Sequence, residues 1–274
     1  MKAATKVFTI SLAITDFCVG LFSITSIVSS ALDRWPFGAT ICWLNTDWDA
    51  ALCSISVFFY SCLGIDRLIE VQKPLRYRQI MTRKRAQWIA ILIWVLSIAF
   101  YVVLVRADHQ VEYGYQKSTA ACTYIITRDV ILSVIGTLSI SFYIPVIIAS
   151  FIYIKLLRVS RQHIQRIKKI MPTGPPPRRQ GSILMFTIAM LADIIAWTPY
   201  SVLVVYELCS GQRAPSWVEF GTNWLLMSTS WWNVVIYARS NRSWRETAVV
   251  ILKKCLNRNQ EYEIQSCIFP EHIN

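Results

Sequence analysis

Four acidic residues stand in stretches of sequence that are otherwise apolar: Asp16, Asp49, Asp66 and Asp193, with Arg67 directly after Asp66. A charge inside a hydrocarbon-spanning segment costs about 2.5–3.5 kcal/mol on insertion scales, so each is either half of a structural polar pair or part of a functional site. Asp49, Cys53 and Ser56 follow at i, i+4 and i+7 and share one helical face. Such a face can offer a carboxylate to a cationic solute. Asp47 lies two residues away and falls on a different face. Asp193 shares a face with Trp197 at i+4, which turns it into a bundle rather than toward lipid. Trp197 and Tyr200 together supply aromatic surfaces on which a cation can rest, although the same spacing also serves core packing. Enzyme chemistry has no comparable support. The three histidines, His109, His163 and His272, lie outside the apolar runs, and neither a metal-ligand cluster nor a nucleophile beside a base is evident, so no metal is expected.

The elements that must position these groups are membrane helices. The chain has 274 residues, 54% apolar and 16% charged, against roughly 25% charged in soluble domains. Six apolar runs, 7–32, 42–65, 87–105, 130–157, 183–209 and 217–238, each reach the length of about 20 residues that a hydrocarbon core requires. Asp16 interrupts the first run and no small-residue cleavage site follows it, so a signal peptide is not expected. The segment before it resembles a loop that follows an earlier helix.

Orientation follows from the basic residues. All but five of the 28 lysines and arginines fall in segments 1–6, 66–86, 155–182 and after residue 238, which places those segments and both ends of the chain on the cytoplasmic side. The net charge of +12 is therefore a topology signal directed at lipid, and nucleic-acid binding is not expected. The 155–182 connection carries Pro172, Gly174 and Pro175–Pro177, which cannot remain helical. Paired broken helices of the transporter kind are not visible. Beyond the sixth run, Trp244, Ala248, Ile251, Leu252 and Cys255 recur at helical spacing against Arg245, Lys253 and Lys254, predicting a short amphipathic helix on the inner leaflet, with Cys255 either palmitoylated or a plain thiol. Of eight cysteines, Cys42 and Cys122 lie on the oxidising side and can pair there, whereas Cys209 has no obvious partner. The sequon Asn241-Arg242-Ser243 is cytoplasmic and should stay unglycosylated.

From its first span onward the chain resembles a rhodopsin-like G-protein-coupled receptor of the amine-binding branch. The resemblance is carried by Leu12-Ala13-Ile14-Thr15-Asp16, Trp35-Pro36-Phe37-Gly38 before Cys42, Asp49, Asp66-Arg67-Leu68, Trp94, Pro145, Tyr153, Trp197-Thr198-Pro199-Tyr200, Trp224 and Asn233-Val234-Val235-Ile236-Tyr237, in order and in register. It implies an all-α membrane protein: a rhodopsin-like bundle with six of the seven helices, beginning at the family's second, over residues 1–255, then a cytoplasmic tail, 256–274. The expected setting is the plasma membrane. It also implies roles. Asp49 is the counter-ion of a small cationic amine, with Cys53, Thr137, Ser141, Trp197, Tyr200, Ser201 and Trp224 around the ligand. Asp16, Ser56 and Asn233 form an interior sodium and water site, the sole cofactor the resemblance suggests. Asp66, Arg67, Tyr153 and Tyr237 serve coupling to a heterotrimeric G protein, and Cys42 and Cys122 form the outer disulfide.

Two branches share the likeness. Gly136-Thr137, Phe142-Tyr143-Ile144-Pro145 and Lys73-Pro74-Leu75-Arg76-Tyr77-Arg78 resemble muscarinic acetylcholine receptors. Leu52-Cys53, Tyr200-Ser201, Cys209 with Gly211 and Pro215, and Trp224-Leu225-Leu226 are more similar to histamine receptors. The chain departs from both: Ser141 replaces the acid of such histamine receptors, and Ala50, Asn223 and Met227 break the muscarinic tyrosine lid. Leu68, Val234, Asp193 and Arg179 depart from the wider family pattern and bear on signalling rather than on fold. The alternative to a signalling receptor is a truncated or divergent relative that binds without signalling.

Overall fold

A computed structural model of the chain describes residues 2–105, 112–125, 131–170, 179–240 and 249–250. The first span is helix α1, Ala3–Leu32, which ends where Asp33 takes a left-handed backbone with φ of 49°. Gly38, at φ of 79°, reverses the chain, and its carbonyl accepts from the Trp35 indole at 2.9 Å. Helix α2, Gly38–Gln72, then runs through the molecule. It is the central post: 67% of its apolar window is inside the protein, against 22% for α1 and for the fourth helix. The connection after it holds a short helix, α3, Tyr77–Ile80, and Thr82 caps α4, Arg83–Ala99, by accepting from the Arg85 N–H at 3.3 Å.

Beyond α4 the spans depart from regular helix in ways that periodicity did not predict. The end of the third span is a π-helical segment, Phe100–Val105. The fourth span is α5, Ile131–Leu138, a second π segment, Ser139–Tyr143, and α6, Ile144–Ile170. The fifth is α7, Arg179–Ser210, with Pro199 inside it. The sixth is broken into α8, Ser216–Met227, and α9, Thr229–Ser240. At the break Ser228 Oγ donates to the Leu225 carbonyl at 2.6 Å and Thr229 Oγ1 to the Leu226 carbonyl at 2.9 Å, hydroxyls standing in for the helical ladder. With the π segments counted as part of their helices, five helical stretches among the described residues are long and apolar enough to cross a membrane, and the sixth apolar run is divided between α8 and α9.

The long outer loop contains an antiparallel hairpin, β1, Glu112–Gln116, and β2, Ala121–Ile125, with Glu112 opposite Ile125 and Gln116 opposite Ala121. The α-helical class stands with this addition. The Pro172–Pro177 connection, Cys255 and the 256–274 tail lie outside the described residues. So does the amphipathic helix expected over 244–255, apart from Val249 and Val250.

The inner half of the bundle is packed by Phe8, Leu12, Phe59, Leu63, Tyr153 and Phe186 around α2. Outward, Ile10, Phe17, Ile91, Leu96, Phe151 and Ile195 remain exposed, as a lipid-facing surface requires. Gly64 lets α2 and α6 approach: a Cβ there would stand 2.9 Å from Ile152 Cγ2 and 3.1 Å from the Tyr153 ring.

Candidate functional site

The outer half of the bundle encloses a cavity of about 390 Å³. Helix α2 lines it with Thr46, Asp49, Ala50, Cys53 and Ser54, and α7 with Trp197, Tyr200 and Val204. Both π segments face it. A π turn inserts one residue into the helical ladder and re-aims the side chains around it. Phe100, Tyr101 and Val105 from one, and Ile140, Ser141 and Phe142 from the other, thereby join the wall, with Gly136, Thr137 and Leu138 of α5 above. Residues Cys122–Ile125 of β2 form the roof.

Asp49 is 8% exposed. Its Oδ2 accepts from the Asn45 amide at 3.2 Å, and Asn45 in turn accepts from Thr25 Oγ1 at 2.7 Å, so α1 steadies the carboxylate through one intermediary. Its other oxygen, Oδ1, is buried and has no hydrogen-bond partner among the described residues. An incompletely paired carboxylate on the wall of an apolar cavity is electrostatically unfinished, and a cation would complete it.

The rival, Asp47, is engaged elsewhere. It is wholly buried, does not line the cavity, and its Oδ1 accepts from the hydroxyls of Tyr113 at 3.2 Å and Tyr124 at 3.0 Å, which pins the hairpin to α2. Burial first, and then the Asp47 charge, push the Tyr124 hydroxyl well above its usual pKa, so it remains a donor. The roof has further ties. Cys42 and Cys122 form a disulfide with Cα atoms 5.4 Å apart, Thr46 Oγ1 donates to the Cys122 carbonyl at 3.0 Å, and the Trp224 indole donates to the Thr119 carbonyl at 3.2 Å.

On the aromatic wall Trp197 stacks on Phe142 with centroids 4.1 Å apart and meets Tyr200 edge-on at 6.3 Å. Across from Asp49, Ser141 Oγ donates to the Thr137 carbonyl at 2.5 Å, and Ser54 Oγ donates to the Ser141 carbonyl at 3.2 Å. The structure thus brings Asp49, Cys53, Thr137, Ser141, Trp197 and Tyr200 around one cavity. Two expected ligand residues are not in its lining: Ser201 is half-buried on α7, and Trp224 is drawn away by its bond to the hairpin turn. Tyr101 was not anticipated, because a π turn leaves no period in the sequence by which to place it.

Beneath the cavity, Asn233 Nδ2 donates to both oxygens of Asp16 at 3.1 and 3.0 Å, while its carbonyl accepts from the Tyr60 hydroxyl at 2.6 Å. Ser56 is buried on α2 but takes no part in these bonds, and Asp193 is close enough for its charge to act on Asp16. At the inner end Asp66 accepts from Thr5 Oγ1 at 2.7 Å and from the Tyr77 hydroxyl at 2.5 Å. Burial and this bond to Asp66 raise the pKa of Tyr77. Arg67 does not turn to its neighbour Asp66 but bonds Glu70 at 2.6 Å. Tyr153 donates to the Tyr60 carbonyl at 3.1 Å, and the Tyr237 side chain is outside the described set.

The sequence pattern of the family described as 7 transmembrane receptor (rhodopsin family) matches residues 1–237. The chain belongs to this family. The receptor is 30% identical to the histamine H2 receptor of Homo sapiens over 250 residues, covering 89% of this chain and 69% of that relative. It is 26% identical to trace amine-associated receptor 365 of Petromyzon marinus over 268 residues, covering 92% and 71%. Its fold is similar to that in the crystal structure of squid rhodopsin, with a TM-score of 0.76 at 18% identity, over 89% of this chain and 70% of that one. The receptor is accordingly a multi-pass plasma-membrane protein with aminergic relatives, and not an enzyme.

Proposed function

We propose that the receptor binds a small cationic amine in the outer cavity and passes that event to a heterotrimeric G protein at its inner face. The observation that carries this reading is Asp49: a buried carboxylate oxygen without a hydrogen-bond partner among the described residues, on the wall of the outer cavity. The ammonium would pair with Asp49 and rest against Trp197 and Tyr200. The far wall offers Thr137, Ser141 and the Tyr101 phenol rather than a second acid, which favours a neutral hydrogen-bonding or aromatic end on the ligand. Histamine and trace amines have the required size and charge. Their named receptors are among the relatives of this chain.

An interior sodium ion also suits the residues present. Asp16 and Asp193 would supply two carboxylates, and Ser56 is a buried hydroxyl on α2, all oxygen donors, although Asn233 already donates to both oxygens of Asp16. Displacement of a labelled amine by a panel of biogenic amines on membranes tests the first step, and amine-stimulated nucleotide exchange with co-expressed heterotrimers tests the second. Binding without exchange would leave a receptor that binds but does not signal. No saturable amine binding would overturn the reading.

A further inference from the structure

Arg67 and Glu70 close an ion pair one turn apart on α2, Nη1 to Oε2 at 2.6 Å, with Arg67 8% and Glu70 4% exposed. The neighbouring Asp66 takes no part, because Thr5 from α1 and Tyr77 from α3 already donate to its two oxygens. The other oxygen of Glu70 lies 3.3 Å from Lys2 Nζ, and the same ammonium sits 3.7 Å from the centre of the Tyr77 ring. Glu70 therefore serves two cations, one on each oxygen, of which Arg67 is buried and Lys2 is partly open to solvent.

We propose that Glu70 is a positioning residue that holds Arg67 along its own helix while the inner face is closed, and that Lys2 sets how firmly it does so. The proposal rests on reading Arg67 as the group that meets the G protein. A buried cation leaves its carboxylate readily only if that carboxylate keeps another positive partner. Lys2 is that partner: it weakens the hold on Arg67 by sharing Glu70, and it neutralises Glu70 once Arg67 departs. The two residues should therefore act with opposite sign. Removing the Glu70 charge frees Arg67, whereas removing the Lys2 charge tightens the pair. A residue that merely supports the fold has no reason to produce this contrast.

The test uses the full chain in membranes co-expressing a panel of heterotrimers, with basal and histamine-stimulated GTPγS binding normalised to surface receptor. Glu70→Gln should raise basal exchange about threefold or more, Glu70→Asp should stay near the parent, and Lys2→Gln should lower basal exchange by about half, as expected of a shifted two-state equilibrium. A second readout is independent of any G protein: the distance between spin labels placed at the exposed Leu75 and Leu184, which should shift in opposite directions in Glu70→Gln and Lys2→Gln. If Glu70→Gln does not reach the surface, the Lys2→Gln distance decides. Parental distances in Glu70→Gln, or a shift of both variants in the same direction, would overturn the proposal. A parent receptor that stimulates no heterotrimer would sink the signalling reading, and the distance measurement would still decide the role of Glu70.

Discussion

At the scale of single residues, the two acids near the outer end of α2 have been sorted by their partners. Asp47 is occupied by two tyrosines of the hairpin, whereas Asp49 keeps one buried oxygen for something else. Asp49→Asn retains the shape and removes the charge. Breaking a buried ion pair costs on the order of 3–5 kcal/mol, which is about two to three orders of magnitude in affinity. Amine binding should accordingly fall below detection in saturation experiments while surface expression is kept. Asp47→Asn leaves an oxygen to accept from Tyr113 and Tyr124 and should change affinity by less than about tenfold, a modest hydrogen-bond effect. The reverse outcome would withdraw both the register of α2 and the amine reading. Asp49 was legible because its i+4 and i+7 neighbours and its distance from Cys42 are linear facts. The Arg67–Glu70 pair is equally linear, at i+3, but a charge near the cytoplasm reads first as a topology signal, which hides the pairing. Tyr101 was not legible at all, since its orientation depends on a π turn.

At the scale of elements, hydropathy located every span but not its regularity. Apolar content reports burial from water, and a π turn or a broken last helix buries as much as an unbroken one. The π segments at Phe100–Val105 and Ser139–Tyr143 and the Ser228 break all border or adjoin the cavity, where backbone irregularity re-aims side chains. The hairpin leaves no sequence signature for a related reason: its strands are short and carry no clean alternation. Where helices simply pack, the governing fact is close approach. Gly64→Ala would press a methyl into Ile152, whose branched side chain is stiff, and against Tyr153, whose hydroxyl is tied to the Tyr60 carbonyl. Overpacking of this kind costs about 1–3 kcal/mol. A thermal-shift measurement in detergent should show a lower melting temperature, and an unchanged value would mean that α2 and α6 can separate freely.

At the scale of the whole molecule, charge and redox chemistry give one orientation. The basic connections fall at the α3 end, while the Cys42–Cys122 disulfide ties the hairpin at the other, and a disulfide needs an oxidising side. Lys117→Asn, at the exposed position of the hairpin turn, completes an Asn-Ser-Thr sequon with Ser118 and Thr119 and should therefore acquire a glycan when the chain is expressed in animal cells. The same sequon placed at 74–76 should stay bare. A glycan at the second position, detected by its removal with an endoglycosidase, would invert the topology.

The roof over the cavity has a consequence in time rather than in affinity. Among the described residues it is tethered on one side by the disulfide, by Tyr113 and Tyr124 on Asp47, by Thr46 on the Cys122 carbonyl and by Lys117 on Asp33, and toward α8 by one neutral bond, Trp224 to Thr119. The weakest tether decides which edge lifts, so a molecule inside the cavity should leave along the α8 side. Its dwell time is then set by how often that bond opens. Trp224→Phe keeps an aromatic ring and deletes the donor, a loss of about 0.5–1.5 kcal/mol. Because Trp224 does not line the cavity, the change should quicken arrival and departure of a labelled amine by similar factors and leave the equilibrium constant almost where it was. Single-wavelength binding kinetics would separate the two rates, and a change in departure alone would place Trp224 against the ligand instead. If the amine proposal holds, the indole should act as a clock for occupancy, with the dwell time following one hydrogen bond to a loop.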